Sequence, residues 1–306
     1  MRTSGRPAPT GVRGGLCERR FVQTYNVFMY LAYNPQLTGG RVVWPESAEL
    51  AAKAGFPGVD VNIGPAMRHG LDATRSLLTT LELRPAVVMD LPVDFRKDDE
   101  TFRKGLAMLP DAATFAAAIA CPRMTTYIMS SSNTPKAELR KIYLDRFRAC
   151  ATVLARSHVR LGLEFLGPLH IRKAFPYEFI WQMNEMLAFA KECGPNVGLL
   201  VDSWHWYHAG ATVRDITAAG RDRIVHVQIN DSAKLPPEQV RDNERLLPGE
   251  GVIDLVGFLH ALREIGYDDA LSVEVFGRGL KEMPPEQGAK LGYEYGSKVL
   301  EKAGIA

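Results

Sequence analysis

Four apolar segments in the second half of the chain each carry an oxygen-bearing side chain near their carboxyl end. They are Glu164 in RLGLEF, Asp202 in VGLLVD, Gln228 in IVHVQI and Glu274 in ALSVEV. Burying a carboxylate without a partner costs free energy, and the ends of these segments contain no matching set of Lys or Arg. Carboxylate and amide oxygens are hard ligands that suit Mn²⁺ or Mg²⁺. The pattern therefore predicts that these four side chains hold one divalent metal ion.

Each of these residues also has a purely structural interpretation. A glutamate in a strand can face outward, Asp202 can cap the turn that follows it, and His205 can be an ordinary loop residue. The recurrence of oxygen ligands at equivalent positions in four successive segments favours the metal site. His226 lies two residues before Gln228 and so shares its strand face; we expect it one layer deeper than the ligands.

The four segments belong to a regular alternation of strand and helix patterns. The predicted strands cover residues 21–28, 58–63, 85–90, 123–129, 160–165, 197–202, 224–229 and 270–275. The predicted helices cover residues 45–54, 72–83, 99–120, 136–157, 177–193 and 213–219, a segment through 255–262, and residues 284–302.

Eight strand–helix units of about 36 residues each predict a single (β/α)8 TIM barrel. The strands are apolar on both faces, as in a parallel sheet covered by helices. We assign residues 21–306 to this barrel and residues 1–20 to a flexible tail. An open doubly wound sheet is the alternative, but no glycine-rich nucleotide-binding turn follows the first predicted strand. In a TIM barrel the active site lies at the carboxyl ends of the strands, where the predicted ligands fall.

Composition excludes several classes of protein. Of the 306 residues, 37 are Lys or Arg and 35 are Asp or Glu, giving a net charge of +2, which argues against a dedicated nucleic-acid binder. We find no apolar run long enough for a membrane span and no apolar secretory core in residues 1–20. The 4 cysteines form no CxxC pair, so a disulfide framework is not expected and the reducing cytoplasm fits best.

Five motifs resemble the xylose isomerase-like TIM barrels of the sugar phosphate isomerase/epimerase superfamily. They are LGLEFLGP around Glu164, GLLVDSWHWYHAG around Asp202 and His205, VHVQINDS around Gln228, RLLPGEGVIDL from Arg245 onward, and LSVEVF around Glu274. The resemblance runs from about residue 21 to the end of the chain. One departure is the segment of residues 231–248, which is longer than in the compact epimerases and in hydroxypyruvate isomerase.

The resemblance implies roles for these residues. Glu164, Asp202, Gln228 and Glu274 would hold the metal, with Gln228 matching relatives that use Gln rather than His as the third ligand. Glu164 and Glu274 would also act as the catalytic acid and base, and His205 and Arg245 would bind the substrate. The expected ion is Mn²⁺, with Mg²⁺ or Co²⁺ as alternatives. The substrate would be a small carbohydrate, and the number of subunits stays open, a homo-oligomer included.

The predicted activity is that of an isomerase or epimerase that acts on a keto-sugar or a polyol-derived ketone. The metal would stabilise an enediolate, while one glutamate removes a proton and the other returns it. A dehydratase of the inosose dehydratase type, which uses the same enediolate, is the alternative. A repair nuclease of the endonuclease IV type would need more histidines, and a non-catalytic binding subunit would gain nothing from a buried acid cluster. Specificity is expected from loops after the first four strands, with candidates Tyr25, Asn26, Asn62, Asp90 and Ser130.

Overall fold

A computed structural model describes residues 29–305, which form a closed barrel of eight parallel strands. The strands are β1 (Tyr30–Tyr33), β2 (Gly58–Asn62), β3 (Arg84–Met89), β4 (Arg123–Ile128), β5 (Arg160–Phe165), β6 (Val197–Asp202), β7 (Ile224–Ile229) and β8 (Ala270–Val273). Each strand pairs with the next along the chain, and β8 closes the barrel against β1, where Tyr30 lies opposite Ala270. The prediction of a single TIM barrel is confirmed.

Eleven α-helices accompany the strands within the described residues. They are α1 (Glu46–Ala54), α2 (Ile63–His69), α3 (Leu71–Thr80), α4 (Asp99–Ala118), α5 (Lys136–Ala155), α6 (Leu169–Arg172), α7 (Met183–Cys193), α8 (Ser203–His208), α9 (Val213–Ala219), α10 (Leu255–Glu264) and α11 (Pro285–Lys302). Short 3-10 turns occur at Pro35–Thr38, Arg221–Arg223 and Asp242–Glu244. Between residues 29 and 305, no helix combines the length and the hydropathy that a bilayer span requires.

The strands of the second half are found where the apolar runs predict them. β5, β6 and β7 have the predicted bounds, and all six residues of β6 and of β7 are buried. Such strands are covered by side chains inside the barrel and by helices outside it. β8 is shorter than predicted and ends at Val273, so that Glu274 directly follows the strand at the open end of the barrel.

One predicted helix start is wrong, and two other predictions fall outside the described residues. The strand predicted at residues 21–28 lies outside the described residues, and the first strand of the barrel is Tyr30–Tyr33. The helix predicted to start at residue 177 begins at Met183, because Tyr177–Glu178 forms a short antiparallel pair with Ser131–Ser132. The boundary predicted between residues 20 and 21 also falls outside the described part of the chain.

Candidate active site

The carboxyl ends of the last four strands bring the predicted ligands to one end of the barrel. Glu164 is the second-last residue of β5, Asp202 is the last of β6, Gln228 is the second-last of β7 and Glu274 follows β8. All four side chains are buried. Glu164, Gln228 and Glu274 line a cavity of about 900 Å³ that opens at this end. The cavity is large enough for a small sugar and its first layer of water.

Direct contacts join the six predicted site residues into one group. His205 Nε2 lies 3.6 Å from Glu164 Oε1, and Gln228 Nε2 donates a 3.0 Å hydrogen bond to Glu274 Oε1. The guanidinium of Arg245 connects the two pairs. It donates to Asp202 Oδ2 at 3.0 Å, to Glu274 Oε2 at 3.2 Å and to His205 Nε2 at 3.1 Å.

Arg245 corrects one step of the sequence argument. The ends of the four strands were expected to contain no cation that pairs with the acids, yet Arg245 reaches them from the long segment after β7 and is only 2% exposed. Asp242 holds the guanidinium from the other side, with its Oδ1 atom 2.9 Å from Nε and 2.8 Å from the terminal nitrogen. The acid cluster is therefore partly neutralised by the protein itself, in a segment that has no strand pattern.

The arrangement fits a divalent cation. Glu164, Asp202 and His205 each offer a ligand atom, and these atoms lie within 4.8 Å of one another. Glu164 Oε1 and Gln228 Oε1 are buried and have no hydrogen-bond partner among the residues from 29 to 305. An unpaired buried oxygen costs about 1–3 kcal/mol, which a cation in contact with both oxygens would remove. The geometry also places His205 among the groups able to hold a metal, in addition to its predicted contact with substrate.

Burial changes the protonation of these groups. It raises the pKa of Glu274 to about 8, since the nearby guanidinium of Arg245 only partly opposes the effect. Burial, together with the charges of Glu274 and Asp202, also raises the pKa of Glu164. Burial and the neighbouring Arg245 lower the pKa of His205 to about 4. His205 is therefore neutral at neutral pH, and Glu274 takes up a proton at a higher pH than an exposed glutamate does.

These pKa directions predict that metal binding tightens as the pH rises. A carboxylate must lose its proton before it binds a cation, and protons compete until the pH passes the raised pKa of Glu274. We expect the affinity for Mn²⁺ to increase between pH 6 and pH 8, by up to roughly tenfold per pH unit for each proton displaced. Calorimetric titrations in buffers of different ionisation enthalpy measure both the affinity and the protons released. An affinity independent of pH over this range would contradict the expectation.

Asp202 caps the helix that follows β6 and also belongs to the buried acid cluster. Its Oδ1 atom accepts hydrogen bonds from the backbone N–H groups of Trp204 and His205 and thereby caps α8. Its Oδ2 atom faces Arg245 and accepts a 2.7 Å hydrogen bond from Asn230 Nδ2. The sequence analysis missed Asn230, although its place two residues after Gln228 puts it on the same face of the chain.

Asp231 holds the PGEG segment in place beside the site. Its two carboxylate oxygens accept hydrogen bonds from the backbone N–H groups of Ser232, Gly249, Gly251 and Ile253, all between 2.8 and 3.0 Å. Gly251 is required at its position, because a Cβ atom there would lie 2.2 Å from the carbonyl oxygen of Ser232. The carboxylate of Asp231 thus anchors the PGEG segment, and the backbone of Asp231 pairs with Leu246, directly after Arg245.

We predict that Asp231→Ala destabilises the protein by about 3 kcal/mol, because several charge-assisted hydrogen bonds are lost together. Asp254→Ala is the matched control, since Asp254 caps the exposed start of α10 through one hydrogen bond to Gly257 and should cost about 1 kcal/mol. Urea denaturation followed by circular dichroism measures both. Equal losses in the two variants would show that Asp231 is not a special anchor.

Of the residues predicted to determine substrate specificity, some lie outside the described residues and others lie near the site. Tyr25 and Asn26 lie outside the described residues. Asp90 lines the cavity and accepts a 2.5 Å hydrogen bond from Asn62 Nδ2. Its backbone has φ 64°, which is uncommon for a residue other than glycine. Ser130 is buried and its hydroxyl has no partner within the described part of the chain.

The chain matches a known family and several enzymes. The family model described as xylose isomerase-like TIM barrel matches residues 48–299. Inosose isomerase of Bacillus velezensis is 23% identical over 90% of this chain and 98% of its own length. Inosose isomerase of Bacillus subtilis is 30% identical, but the match spans about half of each protein, 49% and 51%. 3-Dehydroshikimate dehydratase of Pseudomonas putida is 25% identical over 80% of this chain and 38% of that enzyme.

Solved structures share the fold. A xylose isomerase domain protein from Alicyclobacillus acidocaldarius is 31% identical, covers 90% of this chain and 99% of its own, and has a TM-score of 0.82. A crystal structure of the IolI protein with a bound zinc atom is 22% identical over 90% of this chain and 99% of its own, with a TM-score of 0.76.

Proposed function

Because the chain belongs to the xylose isomerase-like TIM barrel family and is similar to inosose isomerase and 3-dehydroshikimate dehydratase, we propose that it is a divalent-metal-dependent isomerase or epimerase. Its substrate would be a keto-sugar or a polyol-derived ketone. One observation carries the proposal: two buried glutamates, Glu164 and Glu274, face the same cavity beside a group of side chains that fits a cation.

The proposed metal ligands are Glu164, Asp202, Gln228 and Glu274, with Mn²⁺ as the favoured ion and Mg²⁺ or Co²⁺ as alternatives. The unpaired oxygens of Glu164 and Gln228 support this set, and the IolI protein, which shares the fold, has a bound zinc atom in its crystal structure. When bound, the cation would polarise the substrate carbonyl and stabilise negative charge as it develops on the oxygen.

The protein's own side chains move the proton. In the proposed mechanism one glutamate removes the proton from the carbon beside the carbonyl, and the other returns a proton. Return to the opposite face of the same carbon gives an epimer, and return to the next carbon gives an aldose–ketose isomer. Glu164 and Glu274 come from β5 and from the end of β8, so they can flank a substrate in the cavity.

The remaining site residues bind and orient the substrate. His205 is neutral and buried, so its imidazole can exchange a hydrogen bond with a substrate hydroxyl. The five N–H groups of Arg245 already contact Asp202, Asp242, Glu274 and His205. Arg245 would therefore hold a substrate oxygen by exchanging one of these contacts as negative charge develops on that oxygen. Burial of the whole group keeps water from competing with these contacts.

A lyase is the second candidate, and a specific relative favours it. The dehydratase of Pseudomonas putida matches 80% of this chain. If the substrate carries a hydroxyl on the β carbon, the same loss of a proton allows that hydroxyl to leave as water. The product mass separates the two activities, because isomerisation conserves the mass and dehydration removes one water.

Incubation with keto-sugars and inososes in D₂O, followed by proton NMR, tests the proposal. With Mn²⁺ present, we expect deuterium to enter at a carbon beside the carbonyl of at least one substrate, and the exchange to stop when a chelator removes the metal. The absence of exchange from every ketone with the metal-loaded protein would contradict the proposed function.

The cellular context stays a prediction. Cys121, Cys150 and Cys193 are buried and unpaired, which agrees with the reducing cytoplasm predicted from the cysteine spacing. The proposed partner is a small carbohydrate rather than a nucleic acid or a membrane.

A further inference from the structure

A layer of polar side chains lies inside the barrel beneath the acid cluster. The interior of a TIM barrel is usually filled with bulky apolar residues. Here Asp60 from β2, Ser272 from β8 and His226 from β7 lie there, and each is at most 1% exposed. Ser272 Oγ donates a 2.6 Å hydrogen bond to Asp60 Oδ1 and lies 2.8 Å from His226 Nε2. Since the one hydroxyl hydrogen goes to Asp60, His226 Nε2 is the donor in the second contact.

Asn34 connects this layer to Glu274. It directly follows β1 and is fully buried. Its Nδ2 atom donates a 2.8 Å hydrogen bond to Asp60 Oδ2 and lies 3.5 Å from Glu274 Oε1. Its Oδ1 atom accepts a hydrogen bond from the backbone N–H of Gln36. The amide therefore cannot rotate without losing contacts at both ends.

Burial of the Asp60 carboxylate costs folding free energy. Burial raises the pKa of Asp60 to about 7, although hydrogen bonds from Ser272 and Asn34 oppose the rise. Within residues 29–305, Asp60 forms no ion pair or hydrogen bond with a Lys or Arg, although the positive charge of Arg123 also opposes the rise of its pKa. A well-packed apolar residue at this position would make the protein more stable. What Asp60 contributes is a fixed acceptor that orients the amide of Asn34.

The two carboxylate oxygens of Glu274 have different hydrogen-bond partners. Oε1 faces two N–H donors, from Gln228 at 3.0 Å and from Asn34 at 3.5 Å. Oε2 faces Arg245 at 3.2 Å, beside Asp202. The amide of Asn34 reaches only Oε1, where it adds to the hydrogen bond from Gln228, while Arg245 holds Oε2 toward the acid cluster.

We propose that Asn34 and Asp60 are positioning residues for Glu274: Asp60 orients the amide of Asn34, and Asn34 sets the carboxylate of Glu274 in the orientation that metal binding and proton transfer require. The inference rests on the proposed role of Glu274. Residues that orient a metal ligand in this way typically change metal affinity or activity about 10–100-fold when they are removed.

The test uses Asn34→Ala, with Asn196→Ala as the matched control. Asn196 also donates two hydrogen bonds from a partly buried amide, to the carbonyl oxygens of Ala151 and Val159, in a helix–strand connection that precedes β6. Calorimetric titration with Mn²⁺ gives the metal affinity, and thermal unfolding gives the stability. We expect both variants to lose stability, but only Asn34→Ala to lose about 10–100-fold in Mn²⁺ affinity.

Two further variants separate positioning from a general structural effect. Asp60→Asn keeps an acceptor for Asn34 and should retain more Mn²⁺ affinity than Asp60→Leu. The double variant Asn34→Ala/Asp60→Leu should lose no more affinity than Asn34→Ala alone, because both substitutions act through one amide. If Asn34→Ala does not fold, the comparison of Asp60→Asn with Asp60→Leu decides the question by the same titration.

The proposal is overturned if folded Asn34→Ala binds Mn²⁺ within threefold of the unchanged protein, or if the affinity losses in the double variant simply add. This outcome is independent of the proposed reaction. Failure of the proposed function would appear as a protein that binds Mn²⁺ but exchanges no deuterium with any ketone, and the titrations would still decide the role of Asn34.

Discussion

Glu164→Gln and Glu274→Gln are each expected to lower the turnover number by about 10²–10⁴-fold, the range for removal of a general acid or base. Glutamine keeps an oxygen that can bind the cation but cannot accept the substrate proton. The two substitutions therefore remove proton transfer while largely preserving the shape of the site. Steady-state rates with the substrate found by deuterium exchange measure the effect.

Partial exchange distinguishes the two glutamates. The variant that lacks the returning acid should still remove the substrate proton and exchange it with solvent, whereas the variant that lacks the base should do neither. Glu192→Gln is the control, because Glu192 forms an exposed ion pair with Arg140 and should leave the rate unchanged. Full turnover in both Glu164→Gln and Glu274→Gln would exclude the proposed acid–base roles.

Arg245→Met should destabilise the metal-free protein by about 3–5 kcal/mol, since removal of one partner leaves buried charges without compensation. The guanidinium is 2% exposed and contacts Asp202, Asp242 and Glu274. With Mn²⁺ in excess the loss should be smaller, because the cation takes over part of the compensation of Asp202 and Glu274. Denaturant titrations with and without a chelator measure both values.

The control for this prediction is Arg140→Met. Arg140 pairs with Glu192 at the surface, where both side chains are more than a third exposed, and such pairs contribute about 0–1 kcal/mol. A metal-free Arg245→Met protein as stable as Arg140→Met would mean that the acid cluster does not depend on the guanidinium.

The sequence correctly predicts those elements whose buried residues form a regular pattern along the chain. β5, β6 and β7 are continuous apolar runs with clear ends, so both their bounds and the position of the polar residue near each end can be found by counting. The open end of the barrel then brings these residues together, because parallel strands all point their carboxyl ends the same way.

The parts that sequence analysis missed depend on contacts between distant segments. Asp60 and Ser272 are separated by 212 positions, and in the segment GVDVN the aspartate has the pattern of an outward residue. Asn34 was hidden because the first strand was predicted before residue 29, which left Asn34 far from any strand end. Arg245 was predicted only as a substrate-binding residue, and its pairing with the acids was missed because it lies in an irregular segment that Asp231 helps to hold in place. The pattern of apolar and polar residues around these positions does not identify them.

Anomalous diffraction from a crystal soaked with Mn²⁺ tests the central claim most directly. We predict one peak per chain at the open end of the barrel, with an oxygen of Glu164, Asp202, Gln228 and Glu274 each at about 2.0–2.6 Å, the range of hard divalent cations. A crystal with no peak at this position, or with the ion bound by a different set of side chains, would contradict the proposed site and the chemistry that depends on it.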